Sequence, residues 1–159
     1  MNNPQRRPPS GGSSAGPLYL TRRVSFCAAH RYANPAWSDE QNRAVFGACF
    51  NAHGHGHNYD LEVTVRGTVD HETGMVMNLR AVDTILKEEI VARFDHRFIN
   101  KEVPSFDATV PTVENLCAYM WGLLEPRFRA AGTQLFRVRL YESPDLFGEC
   151  FGEGEPPGP

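Results

Sequence analysis

The stretch CFNAHGHGHNYDLEVTV, residues 49–65, carries three of the chain's six histidines and runs into an alternating segment. Tyr59, Leu61, Val63 and Val65 alternate with Asn58, Asp60, Glu62 and Thr64. Successive side chains of an extended strand point to opposite faces, so this pattern predicts a strand with one apolar and one polar face. His55 and His57 share the parity of Tyr59 and Leu61 and project to the apolar side where the strand begins. Two imidazoles at i and i+2 in extended chain can reach one ion. Zinc takes imidazole readily, and a catalytic zinc uses three protein ligands with one position open. His53 has the same parity but lies deeper in the loop, where extended geometry is not assured. Glycine–histidine alternation also suits a mobile polar loop.

Outward from this strand, LYLTRRVSFCAAHRY (residues 18–32) predicts a neighbour. Leu18, Leu20, Val24, Phe26 and Ala28 share one face, and His30 ends it, which makes His30 the candidate third ligand. A histidine at a strand end is more often an ordinary surface residue. Residues 32–54 are polar and read as a long loop, and a loop of that length in a small domain is usually functional. VDHETG (69–74) is a turn that leaves His71 in solvent. Val82, Ile85, Leu86 and Ile90 trace a helical stripe over 79–94. A second helix begins at PTVEN with Thr112 as its N-cap. QLFRVRLYES (134–143) is a third strand, and a short fourth is expected near 146–151. The order strand, strand, helix, helix, strand, strand predicts an α+β fold with an antiparallel four-stranded sheet and two helices.

Composition narrows the function classes. The chain has 159 residues, 41% hydrophobic and 22% charged, which suits one globular domain. A net charge of −3 argues against a nucleic-acid partner. No apolar run reaches the ~20 residues of a membrane span. The first 16 residues lack an apolar signal-peptide core, and the four cysteines form no C-x-x-C pair, so a reduced, cytoplasmic protein is expected. Residues 1–16 and 152–159 are rich in Pro and Gly and are expected to be disordered tails around a domain of 17–151.

Two further features bear on chemistry. FDHRF sets Asp95 beside His96, and a carboxylate can orient an imidazole. Glu142 follows Phe136, Val138 and Leu140 on one strand face, where a carboxylate needs a partner and a flat ligand with two N–H donors would suit it.

Taken together, FCAAHR, FGACFNAHGHGHNY, TGMVMNL, FDHRFIN, PTVEN and LYES resemble, in order, the motifs of the 6-pyruvoyl-tetrahydropterin synthase family of the tunnelling-fold superfamily. The resemblance covers about residues 18–151 and implies zinc held by His30, His55 and His57, with His53 outside the ligand set. It implies a lyase acting on 7,8-dihydroneopterin triphosphate, with Cys49 as general base and Asp95 with His96 completing a proton relay. Glu142 would grip the pterin away from the metal, with Thr112 and Glu114 at the helix start lining the pocket. Magnesium would accompany the triphosphate. Arg22, Arg23 and Arg31 are candidates for its charge, because Lys87 and Lys101 are the only lysines. The family implies a homohexamer of two stacked trimers, with sheets closing into barrels and the Asp–His pair coming from another subunit. The related 6-carboxytetrahydropterin synthase of queuosine biosynthesis usually has a shorter spacing from cysteine to H-G-H. Cys49 to His55 gives the longer spacing and Cys49 to His53 the shorter, so that activity is the alternative. A zinc- and pterin-binding protein without catalysis is a third reading.

Overall fold

The computed structural model describes residues 16–152. Both expected tails, apart from Gly16 and Gly152, lie outside the described residues. Strand β1 (Leu18–His30) and strand β2 (His55–Gly67) pair antiparallel along their full lengths, from Leu18↔Gly67 to His30↔His55. Between them the expected loop is partly helical. Asp39–Phe46 forms α1, followed by a 3-10 turn over Gly47–Phe50. The signal is SDEQ: Ser38 accepts from the Gln41 amide while the Gln41 side chain accepts from the Ser38 amide, a reciprocal cap that satisfies two otherwise unpaired donors.

Helix α2 (Leu79–Leu86) carries the expected stripe, with Val82, Ile85 and Leu86 buried. The expected single helix over 79–94 is interrupted by a π turn at Lys87–Val91 and resumes as a short α3 (Ala92–Phe94). The interruption places the nearly buried Glu89 against Arg93 and Arg127. A two-residue β3 (Arg97–Phe98) then pairs with β1 in parallel, followed by α4 (Ile99–Glu102). Thr112 caps α5 (Val113–Ala130), accepting from the Asn115 amide. Strands β4 (Gln134–Ser143) and β5 (Leu146–Cys150) complete the sheet in the order β3-β1-β2-β4-β5. The architecture is the expected α+β tunnelling fold. The count of five strands rather than four comes from β3, which is too short to show alternation.

Burial drives the arrangement. Phe26, Tyr59, Leu61, Val63, Val138 and Leu140 on one sheet face pack with Leu86, Ile90, Leu116, Met120, Leu124 and Phe128 from the helices. Each large apolar side chain removed from water in this way contributes roughly 1.5–3 kcal/mol. The opposite face is polar, laced by Arg23–Asp60, Arg137–Glu62 and Arg139–Glu149 pairs. Among the described residues no helix is long and apolar enough to cross a membrane.

Candidate metal centre and active site

The antiparallel register builds the metal cluster. It sets His30 directly opposite His55 and Ala28 opposite His57. Because His30, His55 and His57 leave the sheet on its apolar face, their rings converge at the end of the core. The ring centroids lie 4.6 Å (His30–His55), 5.0 Å (His30–His57) and 4.9 Å (His55–His57) apart. One nitrogen from each lies within 4.8 Å of the others. Nε2 of His30 and Nε2 of His55 are 3.1 Å apart.

These residues fit a metal ion by their own chemistry. His57 Nε2 is buried and has no hydrogen-bond partner, a costly state for a polar atom unless something coordinates it. His30 is fully buried, and burial, followed by the neighbouring His55 and His57, pushes its pKa down to about 3. Burial and His57 lower His55 as well. Neutral imidazoles are the form that ligates. The glycines serve the approach. Gly54 has φ +72°, and a Cβ there would lie 2.6 Å from the His30 carbonyl oxygen. His53 is exposed, as is His71.

Tyr59 and Tyr32 belong to the site although the strand pattern marked Tyr59 only as core and gave Tyr32 no role. The Tyr59 hydroxyl lies 3.0 Å from His30 Nδ1. Tyr32 donates to Glu142 Oε2 at 3.3 Å. Burial, with Glu142 nearby, raises both phenol pKa values, so both remain protonated hydroxyls. A tyrosine two residues from each flanking histidine was the available signal.

Glu142 is nearly buried at the end of β4, as its parity predicted. Its Oε1 lies 3.7 Å from His57 Nε2. β2 and β4 are adjacent strands, so their matching ends bring the carboxylate to the border of the imidazole cluster. Cys49, half-buried on the 3-10 turn, is tied in by its carbonyl, which accepts from the Tyr32 amide at 2.9 Å. Its thiol and the exposed Glu114 are both close enough to raise the Tyr32 pKa electrostatically. Pro111, just before Thr112, sets its carbonyl against His30, so the start of α5 abuts the cluster.

Asp95 and His96 sit elsewhere in the chain. His96 Nδ1 and Asp95 Oδ2 are 2.9 Å apart, and the thiol beside them is Cys27, not Cys49. The Cys27 amide, then His96, hold the Asp95 carboxyl below the usual carboxylate range. Of the arginines, Arg22 pairs with Asp83 and Arg23 with Asp60. Arg31 stacks over Phe50 at 4.1 Å, and its Nε is buried without a partner.

The model of the family described as 6-pyruvoyl tetrahydropterin synthase matches residues 19–153. The chain belongs to this family. It is 42% identical to the Drosophila melanogaster 6-pyruvoyl tetrahydrobiopterin synthase, over 79% of this chain and 74% of that one. It is 41% identical to the Homo sapiens protein of the same name, over 84% and 90%. The solved Caenorhabditis elegans 6-pyruvoyl tetrahydropterin synthase superposes with a TM-score of 0.82 at 35% identity, covering 87% of this chain and 97% of that one.

Proposed function

We propose that the protein is a zinc-dependent lyase that converts 7,8-dihydroneopterin triphosphate to 6-pyruvoyl-tetrahydropterin with loss of triphosphate, in tetrahydrobiopterin biosynthesis. The observation that carries the reading is the convergence of three imidazoles and the Glu142 carboxylate at one end of the sheet, in a chain of this family. His30, His55 and His57 would hold the zinc, which supplies Lewis-acid polarisation of the substrate's side-chain oxygens.

The chain's own residues do the rest. Glu142 accepts the N–H donors of the pterin edge, and the Tyr32 hydroxyl fixes the carboxylate that does so. Cys49, as thiolate, removes a side-chain proton. Asp95 holds the Nδ1 proton of His96, which leaves Nε2 free to pass a proton. Within one chain this pair adjoins Cys27, so the relay to Cys49 requires the pair of a neighbouring copy. A homohexamer of two trimers meets that need. The apolar Leu146 and Phe147 on edge strand β5, 47% and 44% exposed, suit a sheet that continues into another subunit. Thr112 and Glu114 line the pocket from the start of α5. Of Arg22, Arg23 and Arg31, Arg31 is the one not paired with a carboxylate among the described residues and would be left for phosphate, and Mg2+ would arrive on the triphosphate oxygens. Residues 17–151 form the catalytic domain, working in the cytoplasm.

The alternative product is 6-carboxytetrahydropterin. The longer spacing from Cys49 to His55, with His53 exposed and outside the imidazole cluster, favours the pyruvoyl reading. Incubating the zinc-loaded protein with 7,8-dihydroneopterin triphosphate and weighing the pterin product decides. The mass of 6-pyruvoyl-tetrahydropterin with released triphosphate is expected. The carboxy product would select the alternative, and no turnover would leave a zinc- and pterin-binding protein.

A further inference from the structure

A cavity of about 430 Å³ lies beside the two chain segments that deliver the metal ligands. Arg31, which follows His30, lines it, as do Ala52 and His53, which lead into His55. Phe98, Asn100, Lys101 and Asp107 line its far side. The cavity and the metal centre share a wall at Gly54, where a Cβ would lie 2.6 Å from both the His30 carbonyl oxygen and the Phe98 ring. We propose that Arg31 and Lys101 form the subsite that holds the triphosphate of the substrate. The assignment of that anion to the substrate rests on the proposed function.

One asparagine ties the two cations together. The Asn100 side chain accepts from the Arg31 amide at 2.8 Å and donates to the Arg31 carbonyl at 3.0 Å, so the Arg31 backbone is clamped to the residue before Lys101. The Arg31 guanidinium lies over the Phe50 ring at 4.1 Å, and the Lys101 ammonium over the Phe98 ring at 5.1 Å. An aromatic face holds a cation in place without neutralising it. Neither cation is paired with a carboxylate among the described residues. Asp107 is the one carboxylate of the wall, so two permanent cations face one anion and the concavity favours a polyanion. The planar arginine fork matches phosphate oxygens, and lysine adds a compact point charge.

The placement follows the order of groups in the substrate. Glu142 borders the imidazole cluster at His57, whereas the cavity borders it at His30. A pterin edge at Glu142 and a side chain at the imidazoles therefore leave the triphosphate to lie toward Arg31 and Lys101. Contacts to the triphosphate that are the same before and during reaction strengthen substrate binding and leave the chemical step unchanged.

Tripolyphosphate saturated with magnesium is the probe, because the free anion would strip zinc. Calorimetric titration of zinc-loaded, full-length protein reads its affinity, with zinc counted on the same samples. Lys101→Ala and Arg31→Gln should each weaken tripolyphosphate at least about tenfold, and Lys101→Arg should retain it. Biopterin, which carries no phosphate, should bind all of these variants as it binds wild type. With 7,8-dihydroneopterin triphosphate, Lys101→Ala should raise KM at least about tenfold at unchanged kcat, the signature of lost uniform binding. Circular dichroism checks each fold. Asp107→Asn, which removes the opposing charge, should tighten tripolyphosphate and decides if the cation variants fail to fold. Unchanged tripolyphosphate affinity in folded Lys101→Ala overturns the proposal, as does a wild type that binds none. Binding lost only in His57→Ala also overturns it, by placing the phosphates on the metal. Lys101-dependent tripolyphosphate binding with an unchanged substrate KM overturns it too, by making the cavity a site for a separate anion. A protein without synthase turnover whose tripolyphosphate binding still depends on Lys101 would sink the proposed function and leave the polyphosphate subsite standing.

Discussion

The Tyr59 hydroxyl and His30 Nδ1 lie 3.0 Å apart, across a strand pair whose register sets Phe26, not His30, opposite Tyr59. This diagonal contact orients a ring whose other nitrogen faces His55 at 3.1 Å. For Nε2 to offer its lone pair to a metal, Nδ1 must carry the proton and donate it to the tyrosine oxygen. Removing that acceptor leaves the ring with the Pro111 carbonyl alone to orient it and freer to tilt. Tyr59→Phe should therefore bind zinc roughly 10- to 100-fold more weakly, the usual scale for losing such an orienting partner. Competition with a chromophoric chelator measures it, and an unchanged affinity would remove Tyr59 from the metal site.

The ligand set makes its own prediction. Purified protein should hold about one zinc per chain at the histidine cluster. His57→Ala should lose that metal and the activity together. His53→Ala should keep both, because His53 is exposed and outside the cluster. Zinc loss on changing His53 would shift the ligand register by two residues and favour the shorter cysteine spacing of the carboxy-forming relatives.

Burial of neutral histidine should appear in the pH dependence of the metal-free protein. The His30 pKa falls from its ordinary 6.5 to about 3 in the folded chain. Between those values the unfolded chain binds a proton that the folded chain refuses. Stability is therefore full above pH ~6.5 and is lost as pH falls toward ~3. His55 shifts in the same direction. From the His30 value alone, lowering the pH from about 7.5 to about 5 should cost about 2 kcal/mol. Urea unfolding of metal-free protein at the two pH values tests this, and His30→Gln should flatten the difference. Equal pH dependence in wild type and variant would assign the proton uptake to other groups.

Much of this arrangement was legible in residue order because strand parity is a two-valued property. Once Tyr59 and Leu61 are assigned inward, His55 and His57 must follow, and the same logic places His30 and Glu142. Parity says nothing of which strand lies beside which. The proximity of Glu142 to His57 is a β2–β4 pairing fact, and Tyr32 reaches Glu142 across 110 residues of chain. The π turn at Lys87–Val91 was hidden for another reason: its sequence keeps helical spacing, and the extra residue is accommodated by the pairing of Glu89 with Arg127 on a different helix. Helix α1 fell inside the segment read as loop: a Ser38–Gln41 cap starts it, but only Asn42 is buried, so no buried apolar stripe announced it.

Cys49 acts on chemistry rather than on binding. Cys49→Ala should keep zinc and pterin affinity while turnover drops roughly 10²-fold or more, the usual scale for losing a general base. Cys117 is buried, its thiol donates to the Gly148 carbonyl, and burial pushes its pKa up to about 12, so it has no thiolate to contribute. Steady-state turnover with metal content measured on the same samples is the check. Full activity in Cys49→Ala would remove the thiolate from the mechanism.

Glu142 separates a pterin enzyme from a generic zinc hydrolase, and its position sharpens the test. Its Oε2 is engaged by the Tyr32 hydroxyl, and its Oε1 lies 3.7 Å from His57 Nε2. Two roles follow from that geometry. The carboxylate either accepts the flat N–H edge of a pterin beside the metal or becomes a further ligand of the ion. Glutamine keeps the shape and one acceptor but loses the charge. A charge-assisted hydrogen bond contributes ~1.5–3 kcal/mol, and leaving pterin donors unpaired adds to the loss. Glu142→Gln should weaken pterin binding at least about tenfold, by the 1.4 kcal/mol per decade of a dissociation constant. Zinc content should not change, because three imidazoles already complete a catalytic ligand set. Calorimetric titration with the unreactive pterin biopterin, together with metal analysis of both proteins, reads the two roles separately. Unchanged biopterin affinity with lost zinc would make Glu142 a metal ligand, and would take away the carboxylate that marks this pocket as built for a pterin.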